Sequence, residues 1–321
     1  MGAVASIAKA LAEAGTEYAE IVKSLGAAGG TVACEPSCSA AARQSILAHM
    51  DNLEFMRMLL AAGYGGSLKL IYIDPPFFSN ADYKASVDAG TGTSGRKKLA
   101  AYSDTWQDGL AEYLEMMALR LMLMRDLLAD DGTIWVHLDW HGTHYVRILL
   151  DEIFGEKNFV NEIIWQYKSG GSTKKHFARK HDNILVYSKA GTYKLKLPKE
   201  KSYNRGLKPY HFKGVEEFCD EVGWYTLVNM KDVWNIDMVG RTSAERTGYA
   251  TQKPEALMSR IIECASSEGD LVADFFCGSG TFPAVAQKNS RIWLASDQGT
   301  LAIQMCESRL ATLAADYKFI E

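Results

Sequence analysis

Apolar positions along the chain predict helices that alternate with strands. Residues 3–25 carry apolar side chains at helical spacing and are predicted to form an amphipathic helix. Residues 40–62 are predicted to be further helix, interrupted near Asp51. The remaining pattern predicts helices at 110–128, 142–153, 254–266 and 282–288 and a final helix after 296, and strands at 68–73, 133–138, 163–167, 183–188, 271–275 and 291–296. Such alternation is typical of parallel βαβ units in a doubly wound α/β sheet.

The apolar run 68–73 ends abruptly at Asp74, Pro75 and Pro76. Because a proline cannot donate a hydrogen bond to a neighbouring strand, the strand must stop there and open into a loop. Residues 80–104 mix glycine, serine, alanine and lysine without periodicity, and they are predicted to be a mobile loop.

Composition adds a local charge asymmetry to this picture. The chain has 321 residues, 47% of them apolar, which suits one large domain or one domain with a substantial insert. Its net charge is only −4, yet residues 164–214 hold 13 lysines and arginines against two acids. This segment predicts a confined surface for a polyanion. Six scattered cysteines predict reduced thiols, and no apolar run reaches the ~18 residues of a membrane span.

A glycine turn follows the predicted strand at 271–275. The turn contains Gly278 and Gly280, and a helix is predicted to begin with Thr281 as its N-cap. This arrangement is typical of a nucleotide-binding crevice. Pro283 stands where a dinucleotide site has its third glycine, so the turn favours an adenosyl-sulfonium cofactor, which has no pyrophosphate. Asp297 ends the next strand and is predicted to accept hydrogen bonds from ribose hydroxyls, although a helix-capping role is the alternative.

The sequence Asp74-Pro75-Pro76-Phe77 suits methyl transfer to an exocyclic amine. The nitrogen lone pair of such an amine is delocalised into the ring. A carboxylate from Asp74 and the Pro75 carbonyl would each accept one N–H, which frees the lone pair for in-line attack. Phe77 offers a face on which an extruded base can stack. The alternative for this sequence is a rigid turn after a strand.

Together these motifs resemble the amino-group DNA methyltransferases of the β arrangement. The chain is especially similar to modification subunits of type III restriction systems and their stand-alone relatives. The matching segments are 51–54, 71–77, 131–141, 151–155, 158–165, 179–182, 251–255 and 274–281, in the order of the family. The chain departs from the commonest pattern at Phe77, where tyrosine is usual, at Phe282, where a small residue is usual, and at Met50, where glycine is usual.

The resemblance implies a Rossmann-like fold that uses S-adenosylmethionine, with permuted motif order and a seven-stranded, mostly parallel sheet. It divides the chain into an N-terminal helical extension (1–40), a catalytic half (41–160), an inserted target-recognition region (161–250) and a cofactor-binding half (251–321). It suggests that Asp51 contacts the cofactor adenine and that Thr251 and Lys253 lie near its methionine end. The full set of predicted cofactor residues is Asp51, Asn52, Thr251, Lys253, Asp274, Phe275, Gly278, Gly280, Thr281 and Asp297.

Two basic segments are predicted to contact DNA. The first interleaves charge with aromatic residues, a mixture that suits phosphate contacts and base stacking, although a solvated face is the alternative. The second lies within 80–104 and is predicted to close over the extruded base, with surface disorder as the alternative. The predicted contacts are Lys174, Lys175, Arg179 and Lys180 in the first segment, and Tyr83, Lys84, Lys97 and Lys98 in the second.

No metal is predicted. His137, Asp139, His141 and His144 have a spacing that could suit metal ligands, but methyl transfer from a sulfonium needs no Lewis acid. The resemblance places this segment at a strand-to-helix corner instead.

The predicted function is site-specific methylation of DNA, with adenine N6 as the acceptor. Three alternatives stay open: cytosine N4 as the acceptor, RNA as the substrate, and a non-catalytic DNA-binding subunit. The predicted partner is double-stranded DNA. The resemblance also suggests a homodimer and a restriction subunit, in a cytoplasmic protein of bacterial or phage type that associates with the nucleoid through its substrate.

Overall fold

A mostly parallel sheet forms the centre of the computed structural model, which describes residues 2–27, 43–79, 81–88, 96–168, 174–240, 242–249 and 251–321. The helices are α1 (Ala3–Ala27), α2 (Asn52–Ala61), α3 (Leu110–Leu127), α4 (Thr143–Leu150), α5 (Glu255–Ala265), α6 (Thr281–Lys288) and α7 (Thr300–Ala311). The strands of the first half are β1 (Ile46–His49), β2 (Leu68–Ile73), β3 (Ala81–Asp88), β4 (Arg96–Asp104) and β5 (Leu128–Leu138). The later strands are β6 (Phe159–Gln166), β7 (His181–Ser188), β8 (Lys199–Tyr203), β9 (Phe218–Cys219), β10 (Trp224–Asn229), β11 (Val233–Asn235), β12 (Leu271–Asp274), β13 (Ile292–Asp297) and β14 (Lys318–Ile320).

The central sheet has the order β11-β6-β7-β5-β2-β12-β13-β1-β14. Strand β7 runs antiparallel to β5 and β6, whereas the other pairs run parallel. The family resemblance predicts seven strands, and the structure has nine. The additional strands at the two edges, β11 and β14, have three residues each, and such short segments leave no periodic pattern in a sequence.

Two hydrophobic layers cover the sheet. Ile71 and Ile73 of β2 point into one layer with helices α1 to α4, and Leu70 and Tyr72 point into the other with α5, α6 and α7. Because neighbouring side chains of a strand point to opposite faces, a strand buried on both sides is apolar along its length. This explains why 68–73 was predicted correctly from its continuous apolar run.

Two predicted elements differ from the structure. Within the predicted helix 40–62, residues 46–49 form β1, which pairs between β13 and β14. The three apolar residues 46–48 are too short a run to distinguish a strand from a helix, so the pairing with β13 and β14 decides the structure. The loop predicted at 80–104 is also wrong for 81–88 and 96–104, because β3 and β4 pair there as antiparallel strands. Residues 80 and 89–95 of that prediction lie outside the described residues.

A second sheet, with the order β8-β10-β9, lies within the predicted recognition region. Residues 161–250 also supply β7, β11 and most of β6 to the central sheet. The part of this region outside the central sheet therefore centres on residues 199–229. Among the described residues, no helix is long and apolar enough to cross a membrane.

Candidate active site

The carboxyl ends of β2, β12 and β13 meet at one edge of the central sheet. Ile71 pairs with Ala273, and Asp274 pairs with Ala295, all in parallel register. Parallel strands bring their carboxyl ends together, and a cavity of about 410 Å³ opens at that edge. Of the predicted site residues, those lining this cavity are Asp51, Asn52, Asp74, Pro76, Thr251, Lys253, Asp274, Phe275, Gly278, Thr281 and Asp297.

Gly280 does not line the cavity, and in this structure it serves helix packing. It is the N-cap of α6 with a φ of 74°, and a Cβ there would lie 2.9 Å from the Cα of Cys306 in α7. Gly280 therefore allows α6 and α7 to approach each other. The prediction that Thr281 is the N-cap is wrong, because Thr281 is the first residue of the helix and α6 has no side-chain cap.

The carboxyl groups of Asp274, which is buried, and Asp297, which is half-buried, lie at the ends of β12 and β13. Asp297 accepts hydrogen bonds from the backbone N–H groups of Gly278 (2.9 Å) and Gly299 (2.8 Å). Asp274 accepts one from the backbone N–H of Phe276 at 3.0 Å. Burial raises the pKa of both carboxyl groups, that of Asp274 well above its usual value. Asp297 thus fixes the glycine turn and still presents carboxylate lone pairs at the cavity.

Asp51 and Asn52 reach the cavity from the start of α2. Asp51 caps this helix by accepting from the N–H of Leu53 at 2.8 Å. Arg120 of α3 binds both residues, at 3.1 Å from Asp51 Oδ2 and 2.6 Å from Asn52 Oδ1. Sequence analysis missed Arg120, because its position in a Met-rich helix indicates only core packing. Asn52 also donates to the carbonyl of Phe275 at 2.8 Å, which joins the two halves of the site.

The carboxylate of Asp74 has one bonded and one unbonded oxygen. Its Oδ2 forms a salt bridge with Lys253 Nζ. Its Oδ1 is buried and has no hydrogen-bond partner among the residues that the structure describes. A buried polar atom without a partner is unfavourable, so Oδ1 is suited to a donor from a bound ligand.

Phe77 lies outside the cavity lining and stacks on a buried imidazole. Its ring centroid is 6.0 Å from that of His137, at an interplanar angle of 23°, and the Lys253 ammonium lies 5.4 Å from the Phe77 ring. Pro75 also lies outside the lining.

His137 is held by hydrogen bonds on both ring nitrogens. Its Nδ1 is 2.9 Å from Tyr72 Oη, and its Nε2 is 3.2 Å from Asp182 Oδ2. Burial acts to raise the pKa of Asp182, but the hydrogen bond and charge of His137, the charge of Lys253 and the hydrogen bond from Tyr167 outweigh it, and the pKa is lowered. Because both nitrogens of its ring are hydrogen-bonded, His137 has a fixed orientation and packs against one face of the Phe77 ring. Within the described ranges, no group of three or more histidine, cysteine, aspartate or glutamate residues could hold a metal ion.

A second missed residue, Asp104, shapes the loop that follows Pro76. Its fully buried carboxylate accepts from the backbone N–H groups of Phe77 and Phe78 at 3.2 Å and of Ser79 at 2.7 Å. It also accepts from the Ser79 hydroxyl and the Trp106 indole N–H. Phe78 has a φ of 63°, a region that side-chain-bearing residues rarely adopt. Asp104 therefore stabilises a strained loop beside the cavity.

The predicted DNA contacts fall on two hairpins. Tyr83 and Lys84 lie on β3, and Lys97 and Lys98 lie on β4, which ends at Asp104 beside the cavity. The other four, Lys174, Lys175, Arg179 and Lys180, lie between β6 and β7.

The connection from β6 to β7 lies at the same edge of the sheet as the cavity. Strand β7 is antiparallel to both β5 and β6, so β6 runs parallel to β5 and β2 and ends at the edge where Asp74 lies. The guanidinium of Arg179 lies 3.8 Å from the ring centroid of Trp140, which follows β5. The sheet topology thus brings this basic connection to the cavity edge.

Comparison with known proteins identifies relatives of the chain. The N6/N4 DNA methylase family model matches residues 68–307. The type II methyltransferase M.EcaI of Enterobacter cloacae is 33% identical over 307 residues, an alignment that covers 77% of this chain and 65% of that protein. The DNA adenine methyltransferase YhdJ of Escherichia coli K12 is 24% identical, with 86% of each chain covered. The Mod subunit of the type III enzyme EcoP15I of Escherichia coli is 30% identical over 158 residues, covering 46% of this chain and 24% of that subunit.

Solved structures confirm the predicted fold. The M1.HpyAVI complex with S-adenosylmethionine superposes with a TM-score of 0.53 at 17% identity, covering 83% of this chain and 98% of that one. The cytosine-N4-specific PvuII DNA methyltransferase superposes with a TM-score of 0.56 at 15% identity, covering 83% and 86%. The predicted resemblance and the predicted cofactor are also confirmed. The chain belongs to the N6/N4 DNA methylase family of S-adenosylmethionine-dependent amino-methyltransferases.

Proposed function

We propose that the protein transfers a methyl group to N6 of an adenine extruded from double-stranded DNA. The observation that carries this proposal is the buried Oδ1 of Asp74, which has no hydrogen-bond partner in the described part of the chain and belongs to a residue lining the cavity. An exocyclic amine supplies the N–H donor that this oxygen lacks. The adjacent salt bridge to Lys253 keeps the other oxygen occupied, so the amine has one defined acceptor.

The cavity also fits the cofactor. Its volume of about 410 Å³ falls within the range of ligand pockets, ~300–1,000 Å³. Asp297 offers carboxylate oxygens to ribose hydroxyls, and Asp51 offers them to the adenine amine. Thr251 and Lys253 are proposed to lie near the methionine end. When bound, S-adenosylmethionine supplies an electrophilic methyl group.

The amine is activated by two acceptors in this proposal. Asp74 Oδ1 accepts one N–H, and the Pro75 carbonyl accepts the other. These bonds draw the nitrogen toward tetrahedral geometry, so its lone pair is directed at the methyl group. Phe77 stacks on the base and is itself supported by His137 at a centroid separation of 6.0 Å. As the N–C bond forms, the sulfur–methyl bond would break and the cofactor would leave as the demethylated thioether. The amine, positively charged after transfer, would release one proton to solvent.

Adenine is proposed as the target because of the relatives that the chain resembles, YhdJ among them. The same two acceptors would serve N4 of cytosine. The chain spans 65% of the length of M.EcaI. We propose the same kind of activity on DNA for this protein, with a restriction subunit as its partner. Residues 161–250 are proposed to read the target sequence, with Lys174, Lys175, Arg179 and Lys180 and the β3–β4 hairpin contacting DNA.

Nucleoside analysis tests the proposal. Purified protein is incubated with unmethylated plasmid DNA and S-adenosylmethionine, and the digested DNA is analysed by mass spectrometry. We expect N6-methyladenine as the product. N4-methylcytosine as the only product would contradict the choice of base. Preferential methylation of RNA in a mixture of RNA and duplex DNA would identify RNA as the substrate.

Asp74→Asn is the matched control, because it keeps the size of the side chain and removes the carboxylate. We expect it to retain cofactor binding and to lose methyl transfer by about 10²-fold or more, as when one preorganised polar group is removed. DNA binding by wild-type protein without any methylation would instead indicate a non-catalytic DNA-binding subunit.

A further inference from the structure

Phe177 is the most exposed large apolar side chain of the described residues, with 98% of its surface open to solvent. It lies in the connection between β6 and β7, among exposed Lys174, Lys175 and Arg179. This aromatic ring is not buried against the rest of the protein. An exposed ring in a basic segment is typical of surfaces that stack on nucleic-acid bases.

The base of this connection is fixed relative to the cavity. The N–H of Tyr167 donates to the carbonyl of Lys180 at 3.0 Å, which closes the hairpin. The Arg179 guanidinium lies 3.8 Å from the Trp140 ring, and the Trp140 ring in turn contacts His141 at a centroid distance of 3.6 Å. Phe177 is two residues from Arg179 and is thereby held near the edge where Asp74 lies.

The ring of Phe177 is not needed inside the cavity. Phe77 is already proposed to stack on the extruded base, and the exposed ring of Phe177 lies on a different segment of the chain. The basic neighbours of Phe177 would bind phosphates and bring its ring against the base-pair stack. Extruding a base leaves a gap in that stack, and filling the gap with an apolar side chain recovers part of the unstacking energy.

We infer that Phe177 inserts into the DNA duplex at the position that the target base leaves. This inference rests on the proposed function and names the residue that stabilises the extruded state. A wedge acts before methyl transfer and only on a stacked, paired target. Its removal should therefore impair methylation of matched duplex and spare any target that is already unpaired.

Phe177→Ala tests the inference on two substrates that contain the target sequence, which is first mapped by sequencing methylated DNA. One substrate is the matched duplex, and the other has an abasic site opposite the target base. We expect kcat/KM on the matched duplex to fall about tenfold or more, and on the abasic substrate to stay within about twofold of wild type. Fluorescence of 2-aminopurine at the target should rise less on matched duplex than with wild type.

Phe319→Ala is the matched control, because it removes a 40% exposed phenylalanine. Phe319 lies on β14, the outermost strand on the side of the sheet away from β6 and β7. Equal loss on both substrates would overturn the inference and place Phe177 against the extruded base instead. Unchanged activity on matched duplex, with intact cofactor binding, would also overturn it. The absence of any methylated position in the mapping step would contradict the proposed function itself.

Discussion

The shape of the loop after Pro76 depends on one buried carboxylate, that of Asp104. We expect Asp104→Asn to lower kcat about 100-fold with little change in cofactor affinity. The NH₂ group of the asparagine would face backbone N–H donors of residues 77–79. The loop would then shift, and the Pro75 carbonyl would move by a fraction of an ångström or more. Single-turnover methylation and calorimetry of cofactor binding measure the two effects.

Ser79→Ala is the control for that prediction. It removes one hydroxyl donor to Asp104 and leaves the three backbone donors in place. We expect its kcat to stay within about threefold of wild type, in line with the loss of one ordinary hydrogen bond. A folded Asp104→Asn protein with wild-type kcat would show that the loop does not need this carboxylate.

Asp274 makes stability depend on pH. Below pH 3.8, the ordinary pKa of an aspartate, the carboxyl group of Asp274 is protonated in the folded and in the unfolded protein. Above that pH the group ionises in the unfolded chain first, because burial raises its pKa in the folded protein. The folded state then binds more protons, so this group's contribution to the free energy of unfolding falls as pH rises. We expect Asp274→Asn to become more stable relative to wild type as the pH rises above the ordinary carboxyl pKa, measured by urea unfolding. A constant difference would contradict the raised pKa.

The cavity-lining residues that the sequence predicts follow a recognisable strand or turn. Asp74 and Asp297 end apolar runs, and the glycine turn follows another. Asp104, Arg120 and the supporting role of His137 were missed because their roles depend on contacts across 27 to 69 positions of the chain. Such contacts leave no local pattern, since each residue is typical of its own segment.

At the scale of elements, β1 and the β3–β4 hairpin were mispredicted for a common reason. Their strands are defined by partners, β13 and β14 for β1 and each other for β3 and β4, rather than by their own composition. The alanine, serine and lysine residues of the hairpin have low strand propensity, so cross-strand pairing decides its structure. The helices and strands β2, β5, β7, β12 and β13 were predicted because burial gives them periodic or continuous apolar runs.

The contact of α6 with α7 gives a prediction at this scale. We expect Gly280→Ala to lower the free energy of unfolding by about 2–4 kcal/mol, because the methyl group combines a left-handed backbone with a collision at Cys306. Gly278→Ala should cost only about 1–2 kcal/mol, since its Cβ would meet Tyr249 at 3.4 Å and the backbone strain remains. Urea unfolding without cofactor measures both. Equal losses would show that the helix contact is not tight.

For the whole molecule, we expect the uneven charge to govern the proposed binding of DNA. The net charge is −4, while the segment 164–214 is strongly basic. We expect DNA affinity to fall steeply with salt, and the slope of log K against log salt to decrease in magnitude by about 2 in Lys174→Gln/Lys175→Gln, if each lysine neutralises one phosphate. Filter binding or fluorescence anisotropy between 50 and 200 mM salt measures the slope.

Lys9→Gln/Lys23→Gln on α1 is the charge-matched control for this double variant, and its slope should equal that of wild type. A slope unaffected by Lys174→Gln/Lys175→Gln would show that phosphates bind elsewhere on the protein.

The direct pairing of β2 with β12 has a consequence for how specificity can change. The acceptor carboxylate at residue 74 and the bend at 278–280 extend from adjacent strands, although 200 positions separate Asp74 from Asp274. In the proposed reaction, the distance between acceptor and cofactor is therefore set by the spacing of two paired strands. Residues 199–229 lie outside the central sheet, so on the proposed function the recognised DNA sequence can change while the chemical centre stays as it is.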